Sequence, residues 1–196
     1  MNSTGKNQKP IFLAGKKVDL RPLAKADIPR MTCWVNDPEV REFVILTLPT
    51  TEEQEEEWFR KLATRENDAL LAIDTKDGTH IGNIGIHNIV WKDRIATTGT
   101  IIGEKEYWGK GYGTDAKMLV LDYAFNTLNL HKICSAVFDF NERSLQYSLH
   151  CGYKVEGTRR KHVFKKGRYC DLIELGVFKE EWLPVWKRYQ KTGRVR

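Results

Sequence analysis

Three glycines at alternate positions, Gly109, Gly111 and Gly113, stand in the mid-chain segment Trp108-Gly-Lys-Gly-Tyr-Gly-Thr114, between a strand pattern and a helical one. Without Cβ atoms in the way, backbone N–H groups at such a turn can converge on one point. The helix that follows contributes unsatisfied donors and a partial positive charge. Lys110 contributes a full one. Trp108, Gly109, Lys110, Gly111, Tyr112, Gly113 and Thr114 are therefore read as a cradle for phosphate. Two better-known phosphate loops fail on spacing. The nucleotide P-loop needs a lysine after its last glycine, and the dinucleotide fingerprint needs one more residue before it. A plain tight connection has little use for three glycines and a lysine at a helix start.

Around this turn, strand-like and helix-like segments alternate without a repeat or low-complexity tract. Lys16 to Leu20 reads as a strand ended by Arg21-Pro22, and Ala26 to Val35 as a helix stopped at Asn36-Asp37-Pro38. Thr50-x-x-Glu53 and Thr51-x-x-Gln54 both fit a capping box opening an acidic helix to about Thr64. Ala69–Asp74, His80–Val90 and Ile95–Ile102 look like an antiparallel meander. From Thr114 to about Thr127, Ala116, Leu119, Val120, Tyr123 and Ala124 recur with helical period, and Met118, Leu121 and Phe125 form a second stripe. This predicts a helix buried on most sides. A strand over His131–Phe140, a short helix over Glu142–Cys151, a hairpin of Tyr153–Phe164 with Tyr169–Phe178, and a helix over Lys179–Lys191 complete the chain. The expectation is an α/β single domain with a mixed, mostly antiparallel sheet of about seven strands and flanking helices. It should run from residue 13 to 183, after a flexible tail over 1–12 and before a helix end and tail over 184–196.

The chain has 196 residues, 41% hydrophobic and 30% charged, an ordinary globular composition. It holds no run of eighteen apolar residues to cross a membrane, and Met1 to Pro10 lack the apolar segment of a secretory signal. Cys33, Cys134, Cys151 and Cys170 show no CxxC pairing and no zinc-ligand spacing with the five histidines. Four free thiols, a cytoplasmic setting and no metal are expected. The net charge of +6 lies in the second half, since residues 1–100 hold 14 basic against 15 acidic side chains. Tracts such as Arg159-Arg160-Lys161 are read as solvated faces, so nucleic-acid binding is not expected; an RNA-associated basic protein stays as the outlying alternative.

With these residues in place, the chain resembles the GCN5-related N-acetyltransferase (GNAT) superfamily, nearest its ribosomal-protein N-terminal and spermidine acetyltransferase branch. Trp108-Gly-Lys-Gly111-Tyr-Gly113 fills the family's pyrophosphate motif, with Trp108 where Gln or Arg is usual. Asn141-Glu-Arg-Ser144 followed by Cys151-Gly152-Tyr153, Lys166-Gly-Arg-Tyr169-x-Asp171, Val18-Asp-Leu-Arg-Pro-Leu23 and Ala26-Asp27 match further segments in order. The likeness covers about residues 16–183. It implies acetyl-CoA as co-substrate, with its pantetheine along the end of the family's fourth strand near Ile101 and Ile102, and with Asn141 and Ser144 beside it. A backbone N–H of that strand would hold the developing oxyanion.

Two departures bear on catalysis. Relatives often carry a proton-donating tyrosine seven residues after the motif asparagine; here Ser148 stands there and Tyr147 one place earlier, turned by about 100° on a helix. Ser144, Ser148 and Tyr147 are the candidate catalytic side chains, Ser144 by likeness to the ribosomal branch. A hydroxyl bonded to the carbonyl four residues back is the alternative for either serine. The second departure is a glutamate that relatives often carry where this chain has Thr97 or Thr98. His87, Asp139 and His162 are the other base candidates, though structural roles would account for each.

A lysine-like amine at pH 7 costs about 4.6 kcal/mol to neutralise and an α-amine about 1.1 kcal/mol. Lacking an obvious base, the chain is expected to acetylate a protein N-terminal α-amine. A polyamine or other small amine, or a catalytically silent acyl-CoA-binding module, is the alternative. The acidic run Glu52, Glu53, Glu55, Glu56 and Glu57 would draw a cationic acceptor, or would simply be a solvated helix start. Trp34, Trp58 and Trp91 could line its groove or serve packing. A homodimer is compatible with the sequence.

Overall fold

A computed structural model describes residues 10–195. Eight strands form one sheet in the order β1-β2-β3-β4-β5-β6-β8-β7. They are β1 (Leu13–Ala14), β2 (Val18–Pro22), β3 (Ala69–Thr75), β4 (His80–Val90), β5 (Ile95–Ile102), β6 (Lys132–Phe138), β7 (Lys154–Lys165) and β8 (Arg168–Phe178). The eighth strand is the two-residue β1, too short to leave a pattern. Arg21 and Pro22 continue β2 instead of ending it. Of the expected tail, residues 1–9 lie outside the described residues. Phe12 is tied in, its N–H donating to the Leu20 carbonyl over 2.8 Å and its ring edge-on to Tyr123.

Helices cover both faces. On one lie α1 (Ile28–Asn36), α2 (Pro38–Arg41) and α3 (Glu52–Leu62); on the other α4 (Tyr112–Asp122), α5 (Glu142–His150) and α6 (Lys179–Thr192). Asp37 both stops α1 and caps α2, its carboxylate accepting from the Glu39 and Val40 amides, so the expected break carries a further turn of helix. For α3 the box uses Thr51 and Gln54: the Gln54 N–H donates to Thr51 Oγ1, and the Thr51 N–H donates to Gln54 Oε1. The helical pattern to Thr127 is realised as α4 followed by one π turn over Tyr123–Thr127.

Strand alternation divides the apolar side chains. Val18, Leu20, Ile73, Ile84, Ile86, Ala96 and Ile133 join Met118, Leu121, Phe125 and Trp182 in the larger core beneath α4 and α6. Ile101 points the other way, to Met31, Trp34, Val40, Trp58 and Trp108. A buried ion network pins the second face: Arg21 donates to both Asp27 oxygens at 2.7 and 2.8 Å and to Asp74 at 2.7 Å.

All neighbouring strands pair antiparallel except β5 and β6, which are parallel and register only over Ile95–Thr97 with Lys132–Cys134. Beyond Thr97 the two diverge. β6 stays paired with β8 through Phe138, while Thr98–Ile102 of β5 pair in register only with β4; side-chain bonds between Thr98 and Cys134 and Ser135 are the last links to β6.

Candidate active site

The wedge between β5 and β6 leads directly into the glycine turn. Trp108 Nε1–H donates to the Ile102 carbonyl over 2.6 Å, locking the end of β5 to the start of the turn. The guanidinium of Arg143, in the first turn of α5, lies 4.0 Å from the Trp108 ring centre and also over Phe43. Trp108 thus has a structural reason to replace the usual polar residue. It braces the mouth of the wedge through a hydrogen bond and a cation–π contact.

Gly109 and Gly111 adopt φ of +70° and +83°, a region L side chains enter at a cost. Gly111 is the N-cap of α4, and no side chain caps that helix. The first amides of α4 are therefore open to an outside acceptor, the condition for an anion site at a helix start. Lys17, far away in sequence, brings its ammonium to the same place, donating to the Lys110 carbonyl over 2.7 Å. A cavity of about 500 Å³ adjoins, lined by Lys16, Lys17, Gly111, Thr114, His150 and Tyr189 among others. Cationic walls and uncapped amides fit a diphosphate.

Within the wedge, the unpaired part of β5 meets α5. Tyr147 reaches across to pair its hydroxyl with Thr100 Oγ1 at 3.0 Å, and its ring edge borders Gly113. Burial raises the Tyr147 phenol well above its ordinary pKa, so it is a neutral hydroxyl. The one-residue shift noted in the sequence thus still leaves the tyrosine in the wedge, beside β5. Ser148, the next residue, is buried at 1% exposure, whereas Ser144 is half-buried. Asn141 Oδ1 caps α5 by accepting from the Ser144 N–H over 3.1 Å.

At the apex sits Lys117, a lone cation inside an otherwise apolar helical pattern. Its ammonium donates to Thr98 Oγ1 over 2.8 Å and lies over the Tyr147 and Tyr153 rings. Burial lowers it to about 8. Cys151 nearby is pushed up to about 12 by the same burial, an inert thiol.

On the opposite face, Trp34 donates to Glu104 Oε1 over 3.1 Å, and its ring meets His80 edge-on. His80 is buried, and that burial lowers its pKa. Among the remaining sequence candidates, His87 lies on β4 opposite Thr97. His162 is exposed on β7, and Asp139 accepts from the Asp171 N–H at 3.3 Å. The four cysteines are free, and among the described residues no group of His, Cys, Asp and Glu could hold a metal. No described helix is long and apolar enough to cross a membrane.

Known proteins resemble the chain in sequence and in fold. The chain is 26% identical over 172 residues to the N-acetyltransferase p20 of Bacillus licheniformis, covering 85% of this chain and 96% of that one. It is 33% identical over 116 residues to the spermidine N(1)-acetyltransferase of Escherichia coli K12, spanning 59% of this chain and 62% of that enzyme. Among solved structures, the spermidine N-acetyltransferase of Vibrio cholerae in complex with CoA and spermine superposes with a TM-score of 0.80 at 24% identity, over 85% of this chain and 98% of that one, a likeness of fold. The family model of the acetyltransferase (GNAT) domain matches residues 17–154, and with the uncapped turn and the open wedge already in view, the chain belongs to the GNAT acetyltransferases.

Proposed function

We propose that this acetyl-CoA-dependent N-acetyltransferase acts on a small polycationic amine of the polyamine class, in preference to the protein N-terminal α-amine that the missing glutamate suggests. The observation that carries the reading is the acidic, aromatic-lined rim on the α1–α3 face of β5. Glu55 is buried to 8% exposure and shares a face of α3 with Trp58, three residues on; burial raises its carboxyl pKa. Glu104 stands against Trp34 at the end of β5. Two other carboxylates of the acidic run are engaged locally, Glu56 with Lys25 and Glu57 with Lys61, and act as ordinary solvated charges. Glu55 is the carboxylate that would meet an extended cation along an aromatic wall, with Glu104, 3.7 Å from the Arg30 guanidinium, as a second acidic group at its end. The spermidine acetyltransferase of Escherichia coli K12 supports the same acceptor class.

In this reading the amides from Tyr112 to Thr114, with Gly109, Lys110 and Gly111, hold the diphosphate. The free edge of β5 at Ile101 and Ile102 takes up the pantetheine amides as a strand would. A β5 N–H in that stretch stabilises the oxyanion. Tyr147, held at Thr100, is the hydroxyl placed to donate to the departing sulfur, with Ser144 at the wedge mouth as a second donor. Buried Ser148 serves the end of α5, where its carbonyl accepts from the Cys151 and Tyr153 N–H groups.

Thiol release from acetyl-CoA, measured against spermidine, spermine and peptides with free α-amines, tests the acceptor. Turnover of polyamines at least tenfold more efficient than of any peptide is expected. Peptide turnover alone would return the acceptor to a protein N-terminus. Binding of acetyl-CoA with no turnover on any amine would leave the chain a silent acyl-CoA binder.

A further inference from the structure

The α1–α3 face of the two central strands carries Asn83, Gly85 and His87 on β4, cross-strand from Ile101, Gly99 and Thr97 on β5. Of these six side chains only the imidazole titrates near neutrality. We infer that His87 is the general base of the transfer, taking the proton from the acceptor amine through its Nε2 atom. This rests on the acetyltransferase reading above and adds the residue that Thr97 and Thr98 cannot supply.

The surroundings of His87 orient it for that task. Its Nδ1 lies 3.8 Å from Asp68 Oδ1, an ion-pair distance that favours a proton on Nδ1 and leaves Nε2 as the acceptor. Asp68 is itself held, accepting from the Asn88 N–H at 2.9 Å and from Arg65 at 3.2 Å. The Nε2 end extends over two bare glycines that face each other across the strands. A Cβ on Gly85 would collide with it, and one on Gly99 would lie 3.8 Å away. The ring therefore tilts along the sheet toward Ile101, in the stretch of β5 that has parted from β6. The strand breaks register just after His87, and Asn88 takes a φ of +53°, so the chain bends out immediately beyond the ring. The side chain stays one-third exposed, open to an acceptor or to a single water between them.

The charged groups acting on the imidazole are Asp68, which raises its pKa, and Arg65 and Lys117, which lower it. Burial is the largest influence and lowers it too, leaving the net value below 6.5. At pH 7 the ring is neutral and able to accept a proton. The step then balances. The amine nitrogen forms its bond to the acetyl carbon, the carbon–sulfur pair leaves with sulfur, the nitrogen's surplus proton goes to Nε2 and on to solvent, and the thiolate takes up a proton of its own.

The test is the pH dependence of kcat with acetyl-CoA and spermidine, for the native chain, His87→Gln, His87→Ala and Asp68→Asn. In the native chain kcat should fall on the acid side of pH 6.5. His87→Gln should lose that limb and about 100-fold or more in kcat at pH 7.5, while calorimetric affinity for CoA stays within twofold. Added imidazole should restore part of the His87→Ala rate. Asp68→Asn should move the limb to lower pH, since a charge that favours the imidazolium is gone. A His87→Gln enzyme that binds CoA and keeps kcat within threefold with the same limb overturns the inference. If both His87 variants fail to bind CoA, an unmoved limb in Asp68→Asn overturns it. A native chain that binds CoA but acetylates no amine overturns the acetyltransferase reading first, and this with it.

Discussion

Lys117 donates its ammonium to Thr98 Oγ1 across 2.8 Å in an interior that offers it aromatic faces. Among the described residues no carboxylate lies within ion-pair distance of it. Burial lowers its pKa to about 8, against about 10.4 in the unfolded chain. Below about pH 8 both states carry the charge and the native fold bears the whole desolvation cost. Between about 8 and 10.4 the unfolded chain binds more protons, so stability rises with pH. Lys117→Met should therefore be more stable than the native chain at pH 7, by on the order of 3 kcal/mol. The gap should close as pH approaches about 10.4. Urea unfolding of both proteins at pH 7 and pH 10 measures it, and a gap independent of pH would show that the lysine is not the source.

How much of this was legible beforehand follows from the range of each interaction. The phosphate turn and the α3 cap are local: three glycines within five residues, and Thr51 with Gln54, state their own geometry. The wedge is not local. It depends on β5 and β6 parting after Thr97, and nothing in either strand's alternation marks the residue where pairing stops. Lys17 reaches the turn from 93 residues away. Lys117 sits in an apolar pattern that hides its role, and Arg143 meets Trp108 only once α5 has packed beside the turn. His87 was visible as a candidate, but its standing depends on the His87–Thr97 register, which only the folded sheet provides.

Gly111 combines a backbone requirement with a chemical one. At φ +83°, any L side chain is strained by about 1–2 kcal/mol. Gly111→Ala should show that cost in urea unfolding and only a small change in CoA affinity. Gly111→Asp adds a carboxylate beside the uncapped amides and should raise the calorimetric Kd for CoA at least tenfold. Equal affinities for the two folded variants would place the diphosphate elsewhere.

Acid should loosen the α1–α3 face first. Burial alone would raise the Asp27 carboxyl; hydrogen bonds from Arg21 and the Ala24 N–H, together with the charges of His80 and Arg21, bring it down to about 2. A carboxylate with a depressed pKa stabilises the fold above its unfolded value of about 3.9, and that contribution is lost as pH falls to about 2. Roughly 2 kcal/mol should disappear across that window. Asp27→Asn should start less stable at pH 6 and lose less between pH 4 and 2. Parallel losses in the two proteins would assign the acid limb to other carboxylates.

Asp115 ties two distant parts of the molecule, the Lys16–Val18 segment and α6, to the first turn of α4. Its carboxylate accepts from the Val18 N–H at 2.9 Å, from the Lys17 and Lys16 N–H groups, and from the Tyr189 hydroxyl of α6. The carboxylate is buried at 1% exposure, and its Val18 and Tyr189 donors are buried with it. Hydrogen bonds to a charged acceptor contribute about 1.5–3 kcal/mol each, and a donor left buried without a partner costs about as much again. Asp115→Ala should therefore lower unfolding free energy by about 3–5 kcal/mol, among the larger single-site losses. Tyr189→Phe, which removes one donor and leaves the amides served, should cost about 1–2 kcal/mol. The two should also differ in CoA affinity. The Lys16–Val18 loop holds Lys17 against the Lys110 carbonyl, so freeing it in Asp115→Ala withdraws a cation from the phosphate turn and should weaken CoA several-fold, with Tyr189→Phe unchanged. Urea unfolding and calorimetry of both variants check the pair, and equal CoA affinities would mean that Lys17 keeps its place without the Asp115 anchor.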